Sequence, residues 1–510
     1  MVETRRFRAL ARHKAAACVA VALLPMVFRL ALLPWRGIPE PWVHDEFSYL
    51  LGADTFAKGR LTNPPHPLWE FFETPQVNQH PTYQTKYPPA QPLMLAIGQV
   101  VLGHPWWGVW LSFGIMSGVM CWMLQGWLPP PYAMMAALVA VVEVGPMGLW
   151  MNSYWGGCVP AIGGALITGA LPRLARRADG ATSLAAGIGL AILVHSRPFE
   201  GAVAGATVLG LLIWMRRKRG LRELLSLKVL AGVSAPVVLA LVAMAVYNKA
   251  GTGDALTPPY LVHEREYAAT PRFWFLPPHP APSYRLKQLR DLWVGWDGTS
   301  YWDTRRRPTR RLAEVLIQNV YPLFGVPAAV VTLLGLIFYR GDKAWAALTI
   351  CAAGLLALGA QRLSMAHYLA PTCSGMYVLM GRGIRVLYQR LGLRRLCAGV
   401  RLALLFGGII AVTVFRLAGP PWKNPFQRGA VVREFDSKPG RHLVIVRYGP
   451  DHNFTFEYVY NRADIDASTI VWAQDLGVER NRAILEYYPD RTVWLLQPDS
   501  IPYRLERYPK

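Results

Sequence analysis

Residues 42–56 read Trp42-Val43-His44-Asp45-Glu46-Phe47-Ser48-Tyr49-Leu50-Leu51-Gly52-Ala53-Asp54-Thr55-Phe56, and further on the chain reads Tyr83-Gln84-Thr85-Lys86-Tyr87-Pro88-Pro89. Both stretches follow the first apolar run. The spacing predicts a helix over 43–56 lying on a membrane surface, with Phe47, Leu50, Leu51 and Phe56 on one side and Asp45, Glu46 and Ser48 off it. Helix neighbours point about 100° apart, so Asp45 and Glu46 cannot aim at one atom. One faces a site while the other caps the helix or holds a cation; alternatively both merely complement the helix dipole. Lys86, at an apolar boundary, either neutralises a phosphate at headgroup level or snorkels to the interface.

The surrounding composition is that of a membrane protein. Of 510 residues 53% are hydrophobic, with a mean hydropathy of +0.22. The net charge is +23, yet most Lys and Arg lie in short loops between apolar runs, which points to topology rather than to nucleic acid. Residues 15–34 suffice to cross a ~30 Å hydrocarbon layer. Arg5, Arg6, Arg8, Arg12 and Lys14 precede them and place the N-terminus in the cytoplasm. No cleavable signal peptide is evident. The 6 Cys lie in or beside apolar runs, which argues against a disulfide framework or a Cys-ligated zinc site.

Residues 93–103 are apolar but short, and Pro88, Pro89 and Pro92 break their start, so they read as interfacial. The spans are then 106–128, 132–150, 158–171, 184–194, 201–215, 229–247, 312–339, 345–360, 365–380 and 396–417, about eleven in all with the first. This assignment puts Arg173, Arg176, Arg177, Arg216–Arg219, Arg340, Lys343, Arg382, Arg385, Arg390, Arg394 and Arg395 on the cytoplasmic side. A full span at 93–103 would reverse every later loop.

The loop 248–311 is the exception, carrying Arg305, Arg306, Arg307, Arg310 and Arg311 on the outer side, as a lipid-headgroup contact or as a dock for an anionic acceptor. Beyond Pro420 the composition turns polar. Strands are expected over 441–448, 469–473 and 492–496, with a helix over 481–488. The expected architecture is an α-helical polytopic membrane protein: a transmembrane domain over 1–419 with a catalytic outer loop at 35–105, and a small extracytoplasmic α/β domain over 420–510.

Asp45-Glu46 after the first span, Tyr49, the amphipathic helix, and Lys86 before Pro88 together resemble the first outer loop of GT-C membrane glycosyltransferases, in particular lipid A aminoarabinose transferases and protein O-mannosyltransferases. His367-Tyr368-Leu369-Ala370-Pro371 resembles a late motif of that family. The resemblance implies that Asp45 is the catalytic base or orients the acceptor, with Glu46 beside it, and that Lys86 binds the phosphate of a polyprenyl-phosphate sugar donor. It also implies a GT-C-like fold, transfer to an acceptor of unspecified kind (lipid, glycan or protein), and residence in the bacterial plasma membrane among its lipids.

One departure concerns metal. Many members carry an acid in the second outer loop, which here reads Asn152-Ser153-Tyr154-Trp155-Gly156-Gly157. Glu143 lies about 13 Å deeper at 1.5 Å per residue. No cofactor is expected, and the missing acid speaks against a divalent metal without excluding one. Asn152, Tyr154 and Trp155 offer hydrogen bonds and a stacking face for a sugar, or an interfacial anchor. In the turn 195–200, Arg197 either adds a phosphate contact or pairs with Glu200, which otherwise supplies a second carboxylate. Tyr87, His367 and Tyr368 complete the expected sugar and acceptor contacts. Two rival readings are a transporter or flippase of lipid-linked sugars and a non-catalytic envelope scaffold; a transporter places its charges near the midplane.

Overall fold

A computed structural model describes residues 5–145, 148–338, 342–389 and 427–509. The expected span 396–417, the residues Arg340, Arg390, Arg394 and Arg395, and the start of the C-terminal segment lie outside the described residues.

The helices of the bundle are α1 (Arg5–Arg12), α2 (Lys14–Ala31), α3 (His44–Ala57), α4 (Ala90–Leu102), α5 (Trp106–Trp127), α6 (Pro130–Val144), α7 (Cys158–Arg176), α8 (Gly180–Ser196), α9 (Pro198–Arg216) and α10 (Leu227–Thr252). They are followed by α11 (Pro259–Tyr267), α12 (Gly298–Arg306), α13 (Pro308–Val315), α14 (Tyr321–Phe338), α15 (Asp342–Gly359) and α16 (Cys373–Gln389). Among the described residues five helices, α2, α5, α7, α9 and α10, have the length and composition to cross a membrane. Others in the bundle are apolar but shorter. The chain is an integral membrane protein, with fewer qualifying spans among these residues than the eleven expected.

The 13 residues of α4 extend about 20 Å, too short to span. It crosses α5 so closely that a Cβ on Gly98 would stand 2.2 Å from the Gly108 nitrogen. Only glycine permits that approach, and it seats α4 against both α3 and α5.

The two ends of the bundle differ chemically. At one, arginines cap helix carbonyls: Arg173 reaches Trp122 O at 2.7 Å and Arg216 reaches Leu174 O at 3.0 Å. At the other, the segments around 35–105, 148–157, 196–200, 253–307 and 360–372 converge. Asn78 there donates to Pro259 O, Arg272 to Glu200, and Trp155 lies against His367.

The helix expected over 43–56 forms as α3, but its polar side is not open to water. Glu46, Ser48, Asp54 and Thr55 are as buried as Phe47 and Leu51. The polar side is covered by the short antiparallel ladder of β1 (Val77–Asn78) and β2 (Gln84–Thr85), where Ser48 Oγ meets Thr85 Oγ1 at 2.7 Å. The apolar side, with Phe47 and Leu51, packs against the C-terminal segment. That segment forms a four-stranded sheet, β4 (Ile470–Gln474), β3 (His442–Val446), β5 (Thr492–Gln497) and β6 (Arg504–Arg507) in spatial order, parallel except for β6, with helices α17 (Arg428–Asp436) and α18 (Val478–Tyr487). The alternating Arg504-Leu505-Glu506-Arg507 edge strand was not expected. The sheet seats on the loop through Ala463 N to Asp54 Oδ2 (2.9 Å), Tyr83 OH to Asn461 O (2.9 Å) and Gln474 Nε2 to Glu73 O (3.0 Å). Phe47 packs on Tyr460 at 4.9 Å.

Candidate active site

At the start of α3 the two acids part. Glu46 is fully buried; its Oε2 accepts from Trp42 N (2.9 Å) and Val43 N (3.2 Å), and its Oε1 accepts from Tyr154 N (2.9 Å). Burial pushes its pKa up to about 7 against these three N–H donors. Both carboxylate oxygens of Glu46, expected as a catalytic group beside Asp45, are thus engaged in capping α3 and clamping the second loop. The same clamp claims Tyr154, whose hydroxyl donates to Pro39 O at 2.8 Å, and Asn152, which accepts from Arg29 Nε at 3.0 Å. These two were expected to hold sugar; the structure gives them to loop packing, because backbone groups at this crowded end need partners.

Asp45, one position earlier, turns the other way. The Tyr87 hydroxyl donates to its Oδ1, and His44 Nδ1 stands 3.0 Å from its Oδ2. Burial would raise its pKa, but His44, Lys86 and Tyr87 outweigh that and hold the carboxyl well below the usual range. Tyr87 also stacks on Tyr49, with ring centroids 4.2 Å apart.

Lys86 follows β2 and is buried. Its Nζ lies 5.2 Å from the ring centroids of Tyr87, Tyr260 and Trp293. Such faces favour a desolvated cation. Among the described residues no hydrogen bond or ion pair reaches this Nζ. Burial lowers its pKa to about 8, while Asp45 and Glu264 pull it back up. His263 sits beside it, fully buried. Asn78 donates through Nδ2 to Pro259 O (3.0 Å), so its Oδ1 is the acceptor facing His263 Nδ1 at 2.9 Å. His263 therefore carries its proton on Nδ1 and leaves Nε2 as a bare lone pair, which has no partner. Burial, then Lys86 and His44, push its pKa well down. Arg362 closes this side, with Nε 2.7 Å from Asp297 Oδ1, and NH1 donating to Thr270 O at 2.8 Å.

A second group adjoins the first. The Arg197 guanidinium lies 4.0 Å from the Tyr368 ring centroid. Burial disfavours its charge, but Tyr368, Tyr49 and Glu200 raise its pKa above the ordinary arginine value. Glu200 Oε1 accepts from Arg272 NH2 (3.0 Å) and Gln361 Nε2 (3.1 Å). Glu200 is therefore matched by Arg272 more closely than by Arg197. His367 lies 5.5 Å from Trp155, ring to ring, and burial and Arg197 push its pKa well down against the pull of Asp45.

Asp45, Tyr49, Lys86, Tyr87, Trp155, Arg197, Glu200, His367 and Tyr368 are thus brought to one end of the bundle; Glu46, Asn152 and Tyr154 serve its frame. Sequence reading missed Tyr260, His263, Arg272, Trp293, Asp297 and Arg362. Arg362 had a signal, a charge in a short turn at the same end as Arg197. The others come from the long loop, where no periodicity marks which side chain turns inward. Among the described residues no group of three or more His, Cys, Asp or Glu side chains is placed to hold a metal ion.

No protein-family model and no curated protein matches the chain. Among solved structures it is similar to the Archaeoglobus fulgidus oligosaccharyltransferase in complex with Zn and sulfate, at 11% identity and TM-score 0.49, over 94% of this chain and 67% of that one. The archaeal oligosaccharyltransferase AglB from the same organism, in complex with an inhibitory peptide and a dolichol-phosphate, gives 12% identity and TM-score 0.47, over 94% and 69%. The apo form gives 11% identity and TM-score 0.43, over 85% and 62%. The chain spans about two thirds of the length of these chains.

Proposed function

We propose that the protein is a membrane glycosyltransferase of the GT-C kind, moving a sugar from a polyprenyl-phosphate donor to an acceptor hydroxyl or amine on the extracytoplasmic face. The observation that carries this reading is the Tyr87 bridge: one ring holds Asp45 by its hydroxyl and faces Lys86 Nζ. A base and an otherwise unpaired cation are thereby presented to one space.

In the proposed reaction Asp45 takes the acceptor's proton as the acceptor attacks the anomeric carbon. The bond from that carbon to the phosphate oxygen breaks, and the electron pair leaves with the phosphate. Lys86, with Arg197 nearby, meets the charge developing there, so no general acid is needed. Attack opposite the leaving group inverts the anomeric centre. Tyr49, Trp155, His367 and Tyr368 supply the faces and hydrogen bonds for the sugar and acceptor. The polar groups gather at helix ends rather than at midplane, which favours chemistry at a surface over passage through the bundle.

The arginine-capped end is the cytoplasmic one under the positive-inside rule. The sheet of β3–β6, as part of an extracytoplasmic domain over 420–510, then packs over the site from outside a bacterial plasma membrane. The test is Asp45→Asn in folded, inserted protein, with transfer from a radiolabelled polyprenyl-phosphate sugar as readout. Loss of transfer is expected; full activity would remove Asp45 from the mechanism.

A further inference from the structure

Away from the Asp45–Lys86 site, a cleft of about 360 Å³ opens between the π-helical turn Asp291–Asp297, α12 and α13. Trp296, Thr299, Asp303, Arg307, Arg310 and Arg311 are among the residues lining it. Its basic residues are unequally engaged. Arg310 Nε is held by Glu314 Oε1 at 2.9 Å. Arg311 is 6% exposed; one nitrogen donates to Ser364 Oγ at 2.9 Å, the nearest carboxylate oxygen of Glu314 is 3.9 Å away, and its buried Nε has no partner. Among the described residues no hydrogen bond or ion pair reaches the Arg307 side chain. Three arginines line the cleft against Asp303 and Glu314, and Arg307, exposed and unpaired among the described residues, keeps its charge free for an anion.

The cleft's position says which anion. α13 runs through a second π-helical turn, Leu316–Val320, into α14. Along this continuous rod Leu312, Leu316 and Ile317 are exposed, and Trp296 and Trp302 are exposed beside the cleft. Bare leucines and isoleucine suit acyl chains, exposed tryptophans suit the headgroup boundary, and arginines suit phosphates at that level. We propose that this cleft is a second anion site, one that holds the phosphodiester of an anionic membrane lipid through Arg307 and Arg311. It requires only that the rod enter the bilayer, and is independent of the transfer reaction.

The test uses the full chain in detergent with equal phosphatidylglycerol and phosphatidylcholine, and native mass spectrometry to count retained lipid. The wild-type protein is expected to prefer phosphatidylglycerol. Arg307→Gln, at an exposed position, should lower that preference about fivefold, since one arginine at a membrane surface is worth roughly 1 kcal/mol. Arg307→Gln with Arg311→Gln should abolish it, and Arg177→Gln at the far end should leave it unchanged. An unaltered preference in Arg307→Gln overturns the proposal, whatever Arg311→Gln does to folding. Inorganic phosphate that displaces the lipid at millimolar concentration identifies a soluble anion and overturns the lipid assignment.

Discussion

The hydroxyl of Tyr87 donates to Oδ1 of Asp45. The same ring stacks on Tyr49 and carries Lys86 over one face. One side chain therefore aims the carboxylate and spaces it from the cation, and the two charges cannot collapse into a direct ion pair that would disable both.

Tyr87→Phe keeps the ring and its stacking but removes the donor. Asp45's pKa is depressed in the folded protein, so its favourable contribution is present above the unfolded value and is lost as pH falls through the folded one. Removing a donor raises the folded pKa and moves the acid limb of kcat/KM upward. Turnover should fall about 10- to 100-fold with Tm nearly unchanged, as read from a pH–rate profile and a thermal melt.

Asp45→Asn and Glu46→Gln should separate activity from stability. Asp45→Asn should cost at least about 100-fold in turnover while Tm holds. Glu46→Gln turns an amide N–H2 toward at least one of the three N–H donors and should cost about 1–3 kcal/mol of stability, while each folded molecule retains turnover. The reverse pattern would exchange the two roles.

Lys86 sets a basic limb. Its pKa is lowered to about 8, so its charge disappears as pH rises through that value. kcat/KM for the donor should decline above about pH 8, while kcat persists higher, because bound phosphate raises the lysine's pKa. Lys86→Arg should remove the limb. Stability has the opposite sign. The folded value lies below the ordinary 10.5, so burying the charge costs stability below pH 8 and the cost is relieved between 8 and 10.5.

Arg362 and Asp297 form a buried pair. Arg362→Met strands the Asp297 carboxylate and should cost roughly 3–5 kcal/mol, whereas Asp297→Leu leaves Arg362 its contact with Glu264 at 3.6 Å and should cost less. The double variant should recover most of that loss, as measured by thermal unfolding in detergent. Additive losses would mean that the two residues act independently.

Much of the candidate site was legible because it lies at the ends of apolar runs. Asp45, Lys86, Arg197 and His367 each stand where hydropathy breaks, and alternation of spans assigns those breaks to one end. The opposed directions of Asp45 and Glu46 were also legible from helical geometry, but not which of them was free. That depended on Tyr154 N arriving from the second loop at 2.9 Å. The amphipathic reading of α3 failed for a related reason: β2 and the second loop cover a polar side that local periodicity assigns to water, while the sheet of β3–β6 covers the apolar one.

By itself the sequence determined the apolar runs, the basic end and the polar end, because these follow from composition and local period. Only the tertiary structure decided which acid is spent on capping, which tautomer His263 adopts, and that Tyr260, Trp293 and Arg362 enclose the space around Lys86. Those outcomes rest on hydrogen bonds and ring contacts between loops far apart in the chain. Burial obliges each polar group there to find a partner, and only packing in three dimensions supplies the partner's identity.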